Sequence, residues 1–138
     1  MKYFKLEELI DQRTFRNFGN TAWQLFPPES LEMLDNFREF IGVPVTVNNW
    51  HIGGQFSMRG YRPSWTDVGA INSPHKKGRA FDCDVEGMTA EEVRQKILEN
   101  QDNLLLSRIM RLEGTVSWIH MDSMQPPQGK KRVYIFKP

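Results

Sequence analysis

Two segments of the sequence carry residue types that bind metal ions. His75 and His120 are two of only three histidines in the chain, and both lie near acids. Two imidazoles and one carboxylate are the protein ligands of a catalytic zinc site that keeps a fourth position for water. The candidate acids are Asp82, Asp84 and Asp122. Isolated histidines and aspartates also occur as ordinary structural residues, so spacing alone leaves both interpretations open.

Alternation along the two segments indicates that candidate ligands share one face of a sheet. In an extended strand, successive side chains point to opposite faces. Within residues 118–122, His120 is flanked by two apolar residues, which we expect to face the core. Asp82 is flanked in the same way by Phe81 and Cys83. We therefore predict two strands that direct their polar side chains to a cleft.

Other periodicities predict the elements that position these strands. Apolar residues recur on one helical face from Pro28 to Ile41, and Thr89 with Glu92 forms a capping box. We expect helices at residues 28–41 and 89–100, strands at residues 43–48, 80–85, 116–121 and 133–136, and a loop at residues 49–72. Short helices are expected before residue 28, and residues 104–112 fit a helix or a strand. This order predicts one α+β domain over residues 1–138, with a small mixed or antiparallel sheet and flanking helices.

Composition argues against several classes of function. The net charge is +1 and both signs are mixed along the chain, so we expect no nucleic-acid partner. Cys83 is the only cysteine, which excludes an intrachain disulfide and a thiolate zinc cluster. Because Cys83 shares its predicted strand face with Phe81, we expect it to be a buried residue and not a nucleophile.

The N-terminal residues and the hydropathy pattern give expectations about location. Glu7 and Glu8 stand where a signal peptide would need an uninterrupted apolar run. No segment approaches the roughly 20 apolar residues of a membrane-spanning helix. We therefore expect synthesis in the cytoplasm, no membrane insertion, and a monomer.

Residues 73–82 resemble a family signature. Their pattern Ser-x-His-x-x-Gly-x-Ala-x-Asp is similar to that of the zinc D-Ala-D-Ala carboxypeptidase family. This family includes vancomycin-resistance D,D-dipeptidases and phage L-alanyl-D-glutamate endopeptidases, and it shares its fold with the hedgehog signalling domain. Residues 118–122 resemble its aromatic-x-His-x-Asp strand, and residues 60–63 resemble its Gly-Tyr-Arg turn. The resemblance covers about residues 43–122 and leaves the helical N-terminal region, residues 1–42, outside it.

The resemblance implies roles for individual residues. It implies one zinc ion per chain, bound by His75, Asp82 and His120. It implies a catalytic and substrate-binding role for Arg62, whose planar, permanently charged side chain suits a carboxylate or carbonyl oxygen. Ser73 would form a hydrogen bond within the site, and Asp122 would orient His120 or a nearby backbone group without binding the metal itself.

The general base is the point at which the sequence departs from the family. Several members carry a glutamate three residues before the last histidine, where this chain has Ser117. The nearest candidate is Glu113, which is either the base or a solvated acid in a turn. Asp122 and Asp84 are weaker alternatives. If none of them serves, the domain binds zinc and ligand without hydrolysing anything.

Together the motifs predict a zinc metallopeptidase, either a carboxypeptidase or an endopeptidase. The implied substrate is the stem peptide of bacterial peptidoglycan, which contains D-amino acids. A small protein of this kind without a signal peptide fits a phage or prophage endolysin released through a holin. The alternative is a catalytically inactive zinc-binding or phage structural module of the same fold. No part of the family pattern names His51, and we expect it to serve structure or substrate contact.

Overall fold

A five-stranded mixed sheet lies at the centre of the computed structural model, which describes residues 1–138. The strands are β1 (Val45–Thr46), β2 (Ala80–Val85), β3 (Arg111–Glu113), β4 (Ile119–Asp122) and β5 (Tyr134–Phe136). Their spatial order is β1-β2-β4-β3-β5, and neighbours are antiparallel except β3 and β5, which are parallel. The predicted α+β class with a small mixed sheet is confirmed.

Three α-helices accompany the sheet. They are α1 (Gln12–Phe18), α2 (Pro28–Ile41) and α3 (Ala90–Glu99). Helix α2 has the predicted bounds, because Pro28 suits a first helical turn and Gly42 ends the helix at a left-handed φ of 75°. The predicted capping box, formed by Thr89 and Glu92, begins α3. No helix of the chain combines the length and apolar character that crossing a membrane requires.

The apolar faces of β2 and β4 form part of the hydrophobic core. The buried residues on these faces are Phe81, Cys83, Ile119 and Met121. The predicted alternation is therefore confirmed for both strands. Burial raises the pKa of the Cys83 thiol and keeps it protonated, as expected for a residue that is not a nucleophile. The opposite face of the same strands carries Asp82 and His120.

The strand predicted at residues 43–48 is shortened to β1. Beyond Thr46 the chain pairs with the N-terminal region instead of the sheet. The backbone N–H of Asn48 donates to the carbonyl of Glu8 at 2.8 Å, and its side-chain amide donates to the carbonyl of Ile10 at 3.1 Å. These contacts join distant parts of the sequence, so the local β-branched pattern does not reveal them.

The strand predicted at residues 116–121 begins only at Ile119. Thr115 has a φ of 67°, in the left-handed region, and the carbonyls of Val116 and Trp118 accept hydrogen bonds from Arg94. This stretch therefore leaves the sheet. The sequence of residues 104–112 fits a helix or a strand. In the structure this stretch contains a 3₁₀ turn (Leu104–Leu106) and the start of β3.

Candidate metal centre

Strand pairing and one tight turn bring His75, Asp82 and His120 together. Asp82 of β2 lies directly opposite His120 of β4, so both side chains emerge on the face away from the core. His75 lies on a 3₁₀ turn (Pro74–Lys77) that ends at Gly78, whose left-handed φ of 66° directs the chain into β2. One potential ligand atom from each of the three side chains lies within 4.8 Å of the others.

Each histidine directs one ring nitrogen to Asp82 and the other to a hydrogen-bond acceptor. Nε2 of His75 lies 3.2 Å from Oδ1 of Asp82, and Nδ1 of His120 lies 2.9 Å from the same oxygen. The outer nitrogen of His75 lies 2.9 Å from the carbonyl oxygen of Gly60. The outer nitrogen of His120 lies 2.9 Å from Oδ2 of Asp122. Because a carbonyl or a carboxylate only accepts, these two contacts are hydrogen bonds when the outer nitrogens carry a proton, and a neutral ring then has its lone pair on the inner nitrogen.

A positive group is needed between Asp82 and the two histidine nitrogens that face it. When both histidines are neutral, two imidazole lone pairs and a carboxylate oxygen converge at a buried point. Such an arrangement is unfavourable unless a proton or a metal cation lies between the three acceptors. Histidines that bind metals commonly donate their second N–H to a carbonyl or carboxylate, as both do here. The buried group formed by His75, Asp82 and His120 could hold a metal ion.

Protons and a metal ion would compete for the cluster. Burial lowers the pKa of His120, but hydrogen bonds to Asp122 and Asp82 outweigh burial and raise it to about 9. Burial raises the pKa of Asp82, but hydrogen bonds from His120 and His75 hold it well below its usual value. A metal ion that binds here near neutral pH would therefore displace a proton from His120.

A cavity of about 310 Å³ lies beside the cluster. All three candidate ligands line it. The residues predicted to bind substrate or transfer a proton line it as well, namely Arg62, Ser73 and Glu113. Sequence reasoning thus selected residues from three separate segments that the fold brings to one cavity.

Arg62 is held against the cluster by two hydrogen bonds. Its Nη2 donates to Oδ2 of Asp82 at 3.2 Å, and its Nε donates to the carbonyl of Met58 at 2.8 Å. Gly69 leaves room for the guanidinium, because a Cβ at this position would lie 2.4 Å from Nη1. Burial lowers the pKa of Arg62, and the charges of Asp82 and Glu113 oppose that effect. Glu113 therefore lies close enough to Arg62 for their charges to interact.

Ser73 supports the turn that carries His75. Its side chain is buried, and its hydroxyl oxygen accepts the backbone N–H of His75 at 3.2 Å. Ser73 thereby forms the N-cap of the 3₁₀ turn. The hydrogen bond predicted for Ser73 within the site is thus made to the backbone of a candidate ligand.

Asp122 fixes the orientation of His120 from outside the cavity. It is fully buried, and Arg111 donates to both of its carboxylate oxygens at 2.9 Å. Burial raises the pKa of Asp122, but hydrogen bonds from His120 and Arg111 outweigh burial and lower it. Asp122 does not line the cavity, and its oxygens are already engaged, so its position suits a partner of His120 and not a general base.

The remaining candidates lie outside this cavity. Asp84 is exposed and bonds to Arg59 at 2.8 Å, which leaves it far less suited to proton transfer in the site. Ser117 is exposed and lines a separate cavity beside α3. His51 packs edge-on against Trp50, with ring centroids 5.7 Å apart, and does not line the site cavity.

A larger cavity, of about 730 Å³, lies elsewhere, beside the first turn of α2. Its arginines are already paired with acids of α2, Arg79 with Glu29 at 3.1 Å and Arg108 with Glu32 at 3.4 Å. None of the predicted site residues lines it. Residue chemistry, and not cavity size, identifies the candidate functional site.

Three groups of the site were not predicted from the sequence. Arg111 lies opposite Asp122 in the pairing of β3 with β4, a relationship that requires knowledge of the register. The carbonyl of Gly60 meets His75 through the path of a long loop. Trp118 lines the cavity, and its buried indole N–H has no acceptor in the protein. Strand alternation predicts that Trp118 shares a face with His120, but it assigns Trp118 no role in the site.

No protein-family model, no curated protein and no solved structure matches this chain. The interpretation of function therefore depends on the sequence motifs and on the geometry of the cluster. The decisive features are the three converging ligand atoms, the acceptors that engage the outer histidine nitrogens, and the residues that line the adjoining cavity.

Proposed function

We propose that the protein is a zinc-dependent peptidase that hydrolyses peptide bonds in the stem peptides of bacterial peptidoglycan. The observation that carries the proposal is the convergence of His75, Asp82 and His120 beside a cavity that also contains an arginine and a glutamate. The family resemblance of residues 73–82 and 118–122 supplies the substrate class.

The donor set favours zinc over other common metals. Two imidazole nitrogens and one carboxylate oxygen match the three-ligand sites of zinc hydrolases, whereas Mg²⁺ and Ca²⁺ prefer oxygen ligands. His75, Asp82 and His120 would hold the ion, while Gly60 and Asp122 would keep the two imidazoles oriented. When bound, zinc supplies Lewis acidity, which activates water and polarises a carbonyl group near neutral pH.

Glu113 is the proposed general base. It lies at the end of β3, lines the cavity, and is only partly buried. No hydrogen bond within the protein engages its carboxylate, so the carboxylate is free to accept a proton from the attacking water. It would then deliver that proton to the amine nitrogen of the leaving group. Proton transfer of this kind contributes about 10²- to 10⁴-fold to the rate.

Arg62 is the proposed substrate-binding group. Hydrogen bonds to Asp82 and Met58 fix the direction of its guanidinium. Arginine has five N–H donors in a planar fork, so donors remain for a carboxylate or carbonyl oxygen of the substrate. A cation placed beside the reacting carbonyl also stabilises negative charge that develops on its oxygen.

The size of the cavity is compatible with a short peptide segment. Its volume of about 310 Å³ lies at the lower end of the roughly 300–1,000 Å³ range of small-molecule sites. A stem peptide would therefore place only the residues next to the cleaved bond inside it.

We extend the proposal to a monomeric phage or prophage endolysin, made in the cytoplasm and released through a holin.

One observation favours a second candidate, a zinc-binding module that does not hydrolyse its ligand. Ser117, at the position where several family members carry the catalytic glutamate, is exposed and outside the cavity. The chain thus lacks a glutamate at the position where several family members carry the general base. The position of Glu113 and Arg62 on the cavity wall nevertheless favours a catalytic site.

Release of free amino groups from purified peptidoglycan tests the proposal. The wild-type protein should release amines, and His75→Ala should release none, because it removes a zinc ligand. If the folded, zinc-replete wild type is as inert as His75→Ala, the peptidase proposal is wrong and the second candidate takes its place.

A further inference from the structure

Arg94 of α3 is a buried arginine that binds the backbone of the segment joining β3 to β4. Its exposed fraction is 5%. Its guanidinium donates to the carbonyl oxygens of Val116 at 3.1 Å, Trp118 at 3.2 Å and, at a longer 3.5 Å, Glu113. Its Nε donates to Glu91 at 3.1 Å. One side chain thus contacts both ends of the segment 113–118, more closely at Val116 and Trp118 than at Glu113.

Residues 115–118 of this segment have little other support, whereas Glu113 is paired with Phe136 in the sheet. Residues 115–118 take part in no backbone–backbone hydrogen bond, and Gly114 makes only one, to the carbonyl of Phe136 at 2.7 Å. Thr115 has a φ of 67°, a conformation that is unfavourable for a β-branched residue and persists only where the surroundings impose it. The only hydrogen bonds that hold residues 115–118 in this path come from Arg94.

The segment carries two groups of the candidate site. Glu113, at its start, and Trp118, at its end, both line the cavity beside the cluster. The chain then enters β4 and reaches His120. A change in the path of the segment would therefore move Trp118 relative to the metal ligands and alter the end of β3, where Glu113 lies.

We infer that Arg94 is a positioning residue for the peptidase reaction, which it supports by holding Trp118 at the cavity and by contacting the carbonyl of Glu113 at the end of β3. The catalytic part of this inference rests on the proposed function. The positioning of Trp118 does not, and it can be measured without substrate. Arg94 itself does not line the site cavity, so it acts only through the segment.

Arg132 provides a matched control for a purely structural role. Its guanidinium also donates to three backbone carbonyls, those of Ile109, Gln101 and Leu106, at distances of 3.0, 3.1 and 2.7 Å. None of these residues lines the site cavity. A change at Arg132 should therefore lower stability without a specific effect on the site.

The experiment compares Arg94→Lys with Arg132→Lys. Lysine keeps the positive charge but lacks the planar fork that binds several carbonyls at once. Tryptophan labelled with ¹⁵N gives one indole N–H signal for each of the four tryptophans, and Trp118→Phe identifies the signal of Trp118. Zinc content, kcat and KM on soluble peptidoglycan fragments are measured for the same variants.

We expect Arg94→Lys to shift or broaden the Trp118 signal and to retain its zinc. Its kcat should fall about 10²-fold with a much smaller change in KM, since misplacing a catalytic group by about 1 Å has an effect of that order. Arg132→Lys should leave both the Trp118 signal and kcat unchanged. If Arg94→Lys alone does not fold, the same substitution is compared in a Thr115→Gly protein, because glycine adopts a positive φ without strain.

An unchanged Trp118 signal in Arg94→Lys would overturn the inference. So would equal losses of kcat in Arg94→Lys and Arg132→Lys, because they would reflect stability alone. If the wild type hydrolyses nothing, the proposed function fails separately, and the Trp118 signal still decides whether Arg94 positions the segment.

Discussion

Nε2 of His120 donates a hydrogen bond to Oδ2 of Asp122 at 2.9 Å, while Nδ1 of the same ring lies 2.9 Å from Oδ1 of Asp82. The imidazole is thus fixed between two carboxylates. Arg111 holds Asp122 in turn through two hydrogen bonds. The orientation of one candidate ligand therefore depends on residues that would not touch the metal.

Asp122→Asn should weaken zinc binding. A neutral amide polarises the His120 ring less than a carboxylate does, and changes of this kind lower metal affinity by about 10- to 100-fold. Zinc affinity can be measured by competition with a chromogenic chelator. Asp84→Asn is the matched control, because Asp84 is exposed and bonds only to Arg59. Equal zinc affinities for the two variants would contradict the role of Asp122.

Glu113→Gln should abolish most hydrolysis and leave zinc binding intact. The amide cannot accept a proton from water, so the rate should fall by about 10²- to 10⁴-fold. Because the Glu113 side chain makes no hydrogen bond within the protein, the melting temperature should change little. Amine release from peptidoglycan measures the rate, with Asp84→Asn again as the control. Full activity in Glu113→Gln would show that the base lies elsewhere.

Gly78→Ala should destabilise the turn that carries His75. A Cβ at Gly78 would lie 2.2 Å from the carbonyl oxygen of Leu25, and φ is positive. Gly87→Ala is the matched control, since Gly87 has a φ of 76° but no atom within 4 Å of the position of a Cβ. The free energy of unfolding of the control should fall only by the cost of placing alanine in the left-handed conformation, about 1–2 kcal/mol.

Urea denaturation of the two glycine variants gives the comparison. Gly78→Ala should lose more free energy of unfolding than Gly87→Ala, because backbone atoms must move to relieve the contact with Leu25. Gly78→Ala should also bind zinc more weakly. Equal losses of stability in the two variants would show that the close approach at Gly78 has no energetic consequence.

The strands that carry the ligands could be predicted from the sequence because local pattern and tertiary environment agree there. Strand β2 has the predicted bounds, residues 80–85, since its apolar positions alternate with polar ones. Strand β4 begins later than predicted because Arg94, from another element, takes the carbonyls of residues 116 and 118. Contacts between distant segments override local propensity, and they cannot be predicted from the local pattern of a single sequence.

The residues of the candidate site also fall into two groups, those that could be predicted from the sequence and those that could not. His75, Asp82 and His120 were named because residues 73–82 and 118–122 resemble a specific motif, and strand parity was compatible with the positions of Asp82 and His120. The carbonyl of Gly60 and the side chain of Arg111 were not, because both act through contacts that depend on loop path and strand register. Sequence reasoning found the groups that would touch the metal and missed those that hold them in place.

The metal content of the purified protein tests the central claim most directly. Protein made and purified with zinc present should contain about one zinc ion per chain, as the three-ligand site requires. Folded His120→Ala should contain almost none, and His51→Ala should keep the full amount, since His51 lies outside the cluster. A folded wild-type protein without zinc, or a His120→Ala variant that retains it, would contradict the account.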